Sequence, residues 1–229
     1  MIGRLFPGHT VELSSETPEW GGAWTQKGHC EGSIDAFDMS LLRYVRERLL
    51  QIGATCMVDV GASTGSFSLL PAFVPGLECW SFEPQPGVYE ILQQNIALNG
   101  LGERAHAYQL GLSKDEGEAE LWMHPQQSHS GLASLKRGAG WSKSVTIQVS
   151  TIDTLCLPPA QLMKIDAEGL ELYVLEGGAK YMAAVRPALV IEYNHVGLHN
   201  IETYLQERDY QWLVFSRDVY AWGRPEHAP

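Results

Sequence analysis

Cys56-Met57-Val58-Asp59-Val60-Gly61-Ala62-Ser63-Thr64-Gly65-Ser66-Phe67 is the stretch from which the fold can be read. Its first five residues form a short apolar run that stops at a glycine, the pattern of a central parallel strand buried on both faces. Gly61 and Gly65 allow backbone angles closed to most residues and let a ligand approach the main chain. A helix is expected from Ser66. Helix starts offer unpaired N–H groups and partial positive charge to a carboxylate or phosphate. Strand, glycine turn and helix together predict a cradle for a small molecule.

Spacing narrows the ligand. A nicotinamide or flavin dinucleotide is usually met by G-x-G-x-x-G, because the backbone must close on a pyrophosphate. Here the string is Asp59-x-Gly61-x-x-x-Gly65, with serine at 63. An acid on the strand and no third glycine suit a ligand with an ammonium and a carboxylate, as in the methionine half of S-adenosylmethionine. Asp59 is expected to face that ammonium or to order the loop. Alone, the string fits an ordinary strand-to-helix turn equally well. The next strand decides: Leu77 to Phe82 is apolar and Glu83 closes it before Pro84. An acid at that strand tip is placed to accept hydrogen bonds from a ribose diol and to exclude a 2′-phosphate.

The 229-residue chain is long enough for one α/β domain with a sizeable core. A formal charge of −11 argues against a surface that tracks nucleic-acid phosphates and against a polybasic membrane anchor. No apolar run is long enough to span a bilayer, and residues 1–10 lack the pattern of a secretory signal. The four cysteines, Cys30, Cys56, Cys79 and Cys156, form no C-x-x-C pair. A reducing, cytoplasmic setting is expected.

Outward from the central stretch, residues 1–37 are expected to be an irregular arm that covers the cleft or packs on a partner subunit, as in a homodimer. Residues 38–229 are expected to form a single domain. Asp38 to Leu50 reads as a helix with Asp38 as N-cap and Leu41, Leu42, Val45, Leu49 and Leu50 as an apolar stripe. Ser66 to Phe73 is expected to be a short helix, and Pro86 to Leu98 a longer one with Val88, Ile91, Leu92 and Ile96 inward. Arg104 to Leu110 alternates as a strand does. The turn after it, Gly111-Leu112-Ser113, is expected beside the adenine, with Leu112 in contact. Glu118 to Met123 and Ser144 to Val149 are expected to pair as an inserted hairpin around a polar loop, residues 124–143, that serves as an acceptor-side lid. Leu162 to Asp166, ending in an acid, and Pro187 to Tyr193 read as buried strands. Between them, Ala167 to Glu176 is expected to be a helix. Ile201 to Arg208 is a last helix before two closing strands around Ser216-Arg217-Asp218. A terminal antiparallel hairpin on a mostly parallel sheet is the ending of a methyltransferase-type sheet.

In an open α/β sheet, ligands sit beyond the carboxyl ends of the strands. Asp59, Glu83, Asp166 and Glu192 close four strands, and His195 follows the last. Acids suit a cationic sulfonium donor. Transfer by in-line displacement needs donor and acceptor aligned in a dry cleft, and an alcohol acceptor needs a base. His195 and Asp166 are the two base candidates, imidazoles titrating near neutrality. Asp166 doubles as a cap for the following helix. Glu168 and Glu171 are expected in its first turn, where the macrodipole favours acids. Lys164 is expected to offset the acid cluster. Asp166, Glu168, Glu192 and His195 are also oxygen and nitrogen donors of the kind that bind magnesium or manganese. Their spacing is not diagnostic, and no metal is assigned.

Val58-Asp59-Val60-Gly61-Ala62, Phe82-Glu83-Pro84, Ser150-Thr151-Ile152-Asp153, Lys164-Ile165-Asp166-x-Glu168-Gly169-x-Glu171 and Val174-Leu175-x-Gly177 resemble the FkbM-type S-adenosylmethionine-dependent methyltransferases. The resemblance runs from Cys56 to Tyr193. It implies a Rossmann-like class I methyltransferase sheet and O-methylation of a hydroxyl on a sugar, glycolipid or natural product, with S-adenosylhomocysteine as product. By matching position it implies that Asp59, Gly61, Gly65 and Glu83 bind the cofactor and that Asp166 and Glu168 line the cleft; from its place at a strand tip Asp166 is also expected to clamp the acceptor or orient the cofactor. The family often has Asn where Ser63 stands; serine still reaches the methionine portion, over a shorter distance. Two other classes compete. An NAD-dependent sugar-modifying enzyme would need a glycine near Ser63 and a Tyr-Lys or Cys arrangement, and neither is found. A non-catalytic cofactor-binding scaffold is disfavoured by acids at every strand tip.

Overall fold

The computed structural model describes residues 2–6, 9–12, 36–123, 133–134 and 142–227. The tryptophans at 20 and 24, Cys30 and, in the 124–143 loop, all residues but 133–134 and 142–143 lie outside them, so the lid expected there is not described. The elements in chain order are β1 (Ile2–Phe6), β2 (His9–Glu12), α1 (Ala36–Gln51), β3 (Cys56–Val60), β4 (Glu78–Phe82), α2 (Pro86–Leu98) and β5 (Ala105–Tyr108). They continue with β6 (Gly111–Leu112), β7 (Gly117–Met123), β8 (Ala133–Ser134), β9 (Lys143–Ser150), β10 (Leu162–Ile165), α3 (Glu171–Gly177) and α4 (Ala179–Val185). The chain closes with β11 (Ala188–Glu192), α5 (Leu198–Gln206), β12 (Gln211–Phe215) and β13 (Asp218–Trp222).

Seven strands form the main sheet in the order β12-β13-β11-β10-β3-β4-β5. Five are parallel, β13 runs antiparallel to β11, and β12 pairs antiparallel with β13. The order reverses beside β3. The chain goes from β3 through β4 to β5 on one side, then returns to lay β10 and β11 on the other. That switch point is where the loops of an open sheet part and leave a crevice.

Alternation along the strands fills two apolar layers. Met57, Cys79, Leu162, Val190 and Tyr220 face α1, the turns after β3, and α2. Val58, Val60, Phe82, Ile165 and Ile191 face α3, α4, α5 and Leu112. Residues of β3, β10 and β11 are buried without exception, as strands covered on both sides must be. The expected inserted hairpin is present: β7 and β9 pair antiparallel from Gly117↔Val149 to Met123↔Lys143. With β6 and β8 it forms a separate four-stranded sheet.

Several expectations need correction. The start of the chain is not irregular throughout, since β1 and β2 form an antiparallel pair. Helix α1 begins at Ala36, so Asp38 lies inside it and is not its N-cap, and Leu50, next to the buried Leu49, is exposed and not part of the apolar stripe. No α-helix follows the glycine turn. Residues 66–69 are turns, and Leu70–Ala72 is a single 3-10 turn. Pro71 accounts for this, because it has no N–H for the Phe67 carbonyl and its ring crowds that carbonyl. Gly111-Leu112 is a strand paired parallel with Val149 and Ser150, not a free turn. Helix α3 starts at Glu171 rather than Ala167, and α5 runs three residues ahead of expectation, from Leu198.

Candidate functional site

The crevice has two walls that meet at Gly61. Its φ is +72°, and a Cβ there would overlap the carbonyl oxygen of Asp166. Only glycine lets the two strand ends come this close. Gly61 and Ala62 donate their N–H groups to the Phe82 carbonyl, at 3.0 Å each, so the turn after β3 folds over the end of β4. Gly65, at φ +106°, has Leu92 Cδ1 only 2.8 Å from where a Cβ would stand. Ser63 between them has a positive φ of 51°.

Glu83 clamps this turn. One carboxylate oxygen accepts the Ser63 N–H at 2.9 Å and the other accepts the Gln85 N–H at 2.9 Å. The group is buried. Burial pushes its pKa up to about 7, against the pull of those two N–H groups and of Lys164. Asp59 is fully buried and does not open onto the crevice. Ser68 donates to its Oδ2 at 2.7 Å, and Lys164 Nζ lies 3.6 Å from its Oδ1. Burial raises its pKa, with Lys164 and Ser68 opposing.

Lys164 is opposite Asp59 in the β3–β10 register, which explains their meeting. Its ammonium donates to the Gly61 carbonyl at 2.7 Å and stands 3.6 Å from Asp166. Burial pulls its pKa down, and Asp166, Asp59, Asp218 and Glu192 together outweigh that and hold it above the usual lysine value. The expected charge partner is therefore in place, and it ties the two walls together.

The second wall is built on the K-I-D-x-E-G-x-E block. Glu171, wholly buried, accepts the N–H of Ala167 at 2.9 Å and of Gly169 at 3.0 Å through one oxygen. These bonds fix the segment between β10 and α3. Asp166 does not cap α3; the loop-fixing role belongs to Glu171. Glu168 sits between the two pinned N–H groups in the left-handed region, φ 50°. It is not a helical residue as expected. Its carboxylate meets His195 Nε2 at 2.9 Å. Burial first, then Asp166 and Glu171, push the Glu168 pKa up to about 8. Glu192 closes β11 and is buried. It accepts from Asn194 at 3.2 Å and lies 3.8 Å from the Arg217 guanidinium. Burial, the charges of Asp166 and Glu168 and a hydrogen bond with Asp166 push its pKa up to about 9. Asp166, Glu171 and Glu192 each bring a carboxylate oxygen within 4.8 Å of the others.

The structure thus gathers Asp59, Gly61, Ser63, Gly65, Glu83 and Asp166 around one strand junction, with His195 joined through Glu168. Leu112 is buried under Phe82 and Ile152 in the core. Sequence reasoning did not find Ser68, the pinning role of Glu171 or the Glu168–His195 contact. For Glu171 the signal was available: an acid following a glycine by two residues, just after a strand, is placed to bind the N–H groups of that turn.

Comparison with known proteins agrees with this architecture. The methyltransferase FkbM domain matches residues 59–212. "Methyltransferase sdnD" of Sordaria araneosa is 28% identical over 201 residues, covering 73% of this chain and 76% of the relative. "Methyltransferase 1" of Beauveria bassiana is 26% identical over 144 residues, covering 53% and 57%. The crystal structure of methyltransferase FkbM from Methylobacillus flagellatus superimposes with a TM-score of 0.56 at 22% identity over 74% of this chain. The chain spans 44% of that protein, less than half its length. The shared sheet is the Rossmann-like class I methyltransferase fold. No helix among the described residues is long and apolar enough to cross a membrane.

Proposed function

The chain belongs to the FkbM methyltransferase family, and on that premise we propose that it is an S-adenosylmethionine-dependent O-methyltransferase acting on a hydroxyl of a sugar, glycolipid or other natural product. One observation carries the cofactor: acids, and no phosphate-binding glycine helix, meet at the switch point of the sheet. Glu83 spends one lone pair of each oxygen on Ser63 and Gln85. A carboxylate has further lone pairs, and these are available to a ribose diol. A phosphate-bearing ligand would meet the acceptor oxygens of Glu83 and Asp166 where it needs donors; a ribose diol and an ammonium bring the donors themselves.

When bound, the donor supplies an activated methyl group. The chain's residues supply the rest. Gly61, Ser63, Gly65 and Glu83 hold the donor, and Asp59 with Ser68 and Lys164 keeps the turn in shape. Asp166, tied to Lys164, orients it from the second wall. His195 stands beyond β11, where it can take the acceptor's proton; Asp166 is the other base the cleft offers. Most of the acceleration comes from alignment and exclusion of water. The reading needs no metal, since Lys164 and Arg217 already offset the acids.

A thermal-shift panel of S-adenosylmethionine, S-adenosylhomocysteine and NAD tests the cofactor. The first two should stabilise the protein and NAD should not; stabilisation by NAD alone overturns the reading. Glu83→Ala should weaken S-adenosylhomocysteine binding roughly tenfold or more, about 1.4 kcal/mol. Incubation of a lysate with isotopically labelled donor, followed by mass spectrometry, should show one labelled methyl group on a glycan, lipid or small metabolite.

A further inference from the structure

We infer that Glu168 is the positioning residue for His195: it holds the imidazole by Nε2 and leaves Nδ1 to take the acceptor's proton. This rests on the methyl-transfer reading and decides between its two base candidates. Three observations meet here. The Glu168 carboxylate and His195 Nε2 are 2.9 Å apart. Glu168 has a left-handed backbone at φ 50°, a conformation that disfavours any residue with a Cβ. Glu171 pins the N–H groups immediately before and after it, so the surrounding loop enforces that conformation. A strained non-glycine residue held by its neighbours points to a use for its side chain, and the side chain ends on His195.

Asp166 is the poorer base. Its carboxylate faces the Lys164 ammonium at 3.6 Å and shares a hydrogen bond with Glu192, so its oxygens already have partners. His195 is half exposed and carries its second nitrogen free of Glu168. In the transfer, the acceptor oxygen forms its bond to the methyl carbon as the carbon–sulfur bond breaks and sulfur keeps the electron pair. The hydroxyl proton passes to Nδ1 once Glu168 is ionised, a form reached as pH rises through about 8, and its carboxylate then offsets the imidazolium charge. Glu168 itself is faced by Asp166, Glu171 and Glu192 as like charges and by Lys164 and Arg217 as opposite ones.

The test uses the full chain with isotope-labelled histidine, His195 being assigned by the signal lost in His195→Gln. In wild type the His195 ring signals should report the ionisation of Glu168 as an inflection near pH 8, and in Glu168→Gln that inflection should be lost. S-adenosylhomocysteine affinity should stay within about twofold by calorimetry, since Glu168 is not placed on the donor wall. With the acceptor found by methyl labelling, kcat should drop roughly 10- to 100-fold with KM little changed, and Glu168→Asp should restore part of it. Glu168→Asn serves if Glu168→Gln folds poorly, because Asn tolerates the left-handed region. An inflection near pH 8 that survives in a folded Glu168→Gln protein overturns the inference, as does an unchanged kcat. The titration needs neither donor nor acceptor, so its failure is separable from failure of the methyl-transfer reading.

Discussion

The two walls of the crevice treat their acids differently. On the β3–β4 side each carboxylate is committed to its own turn: Asp59 to Ser68, Glu83 to the N–H groups of Ser63 and Gln85. On the β10–β11 side Asp166, Glu168 and Glu192 crowd one another, with Lys164 and Arg217 as their opposing charges. The first arrangement fixes a backbone. The second keeps protons within reach at neutral pH. A donor site benefits from the former, because preorganisation lowers the ordering cost of binding. A site that must receive a proton benefits from the latter, since groups titrating near the working pH are the effective ones.

The junction between the walls is the most vulnerable point. In Gly61→Ala the new methyl would overlap the Asp166 carbonyl and would stand at a positive φ. Both strands would have to part, and Lys164 would lose its bond to the Gly61 carbonyl. A loss of roughly 3–5 kcal/mol in denaturant unfolding is expected, together with loss of donor binding. If Gly61→Ala were as stable as wild type, the walls would not be coupled through this contact.

The pH response should separate the walls. Glu83, Glu168 and Glu192 have folded pKa values of about 7, 8 and 9, each above the ordinary 4.5. Each therefore binds its proton more tightly folded than unfolded. The stabilisation is complete below about 4.5 and is lost as pH rises through each folded value. Melting temperature should fall by about 5–10 °C from pH 5 to 9. The part lost above pH 7 belongs to Glu168 and Glu192. Glu192→Gln, which cannot titrate, should flatten the profile most above pH 8, roughly halve the slope between pH 7 and 8, and lower it by about a third below pH 7. A flat profile above pH 7 in wild type would mean that the second wall holds no extra protons.

The sequence exposed the first wall better than the second, for a physical reason. β3 and α2 have the ends expected of them, because a strand buried on both faces reads as an unbroken apolar run and Pro86 fixes a helix start. The sheet's final hairpin and the inserted β7–β9 pair were legible from alternation. The helix expected from Ser66 rests on the strand and glycine turn before it, which do not register Pro71; the proline acts on the backbone and leaves only a 3-10 turn. Gly111-Leu112 is too short for any periodicity. The Glu168–His195 contact joins loops after two different strands, so nothing local announces it. Glu168 was assigned to a helix because acids favour first turns, whereas the glycine after it and Glu171 beyond serve a loop.

The smallest expected effect is at Ser68, and it bears most directly on the first wall. Its hydroxyl is the hydrogen-bond donor to Asp59 Oδ2, while Lys164 stands 3.6 Å from the other oxygen. Ser68→Ala removes one bond to a buried carboxylate and adds no bulk. A bond to a charged group is worth about 1.5–3 kcal/mol, and the lower end is expected because Lys164 remains. Asp59 should then keep its place, and S-adenosylhomocysteine affinity should fall no more than about threefold, under 1 kcal/mol. Asp59→Asn is the sharper companion: it leaves Lys164 without its nearest buried counter-charge in the first wall. If Ser68→Ala cost more donor affinity than Asp59→Asn, then Ser68, not the carboxylate it serves, would be the residue that shapes the turn.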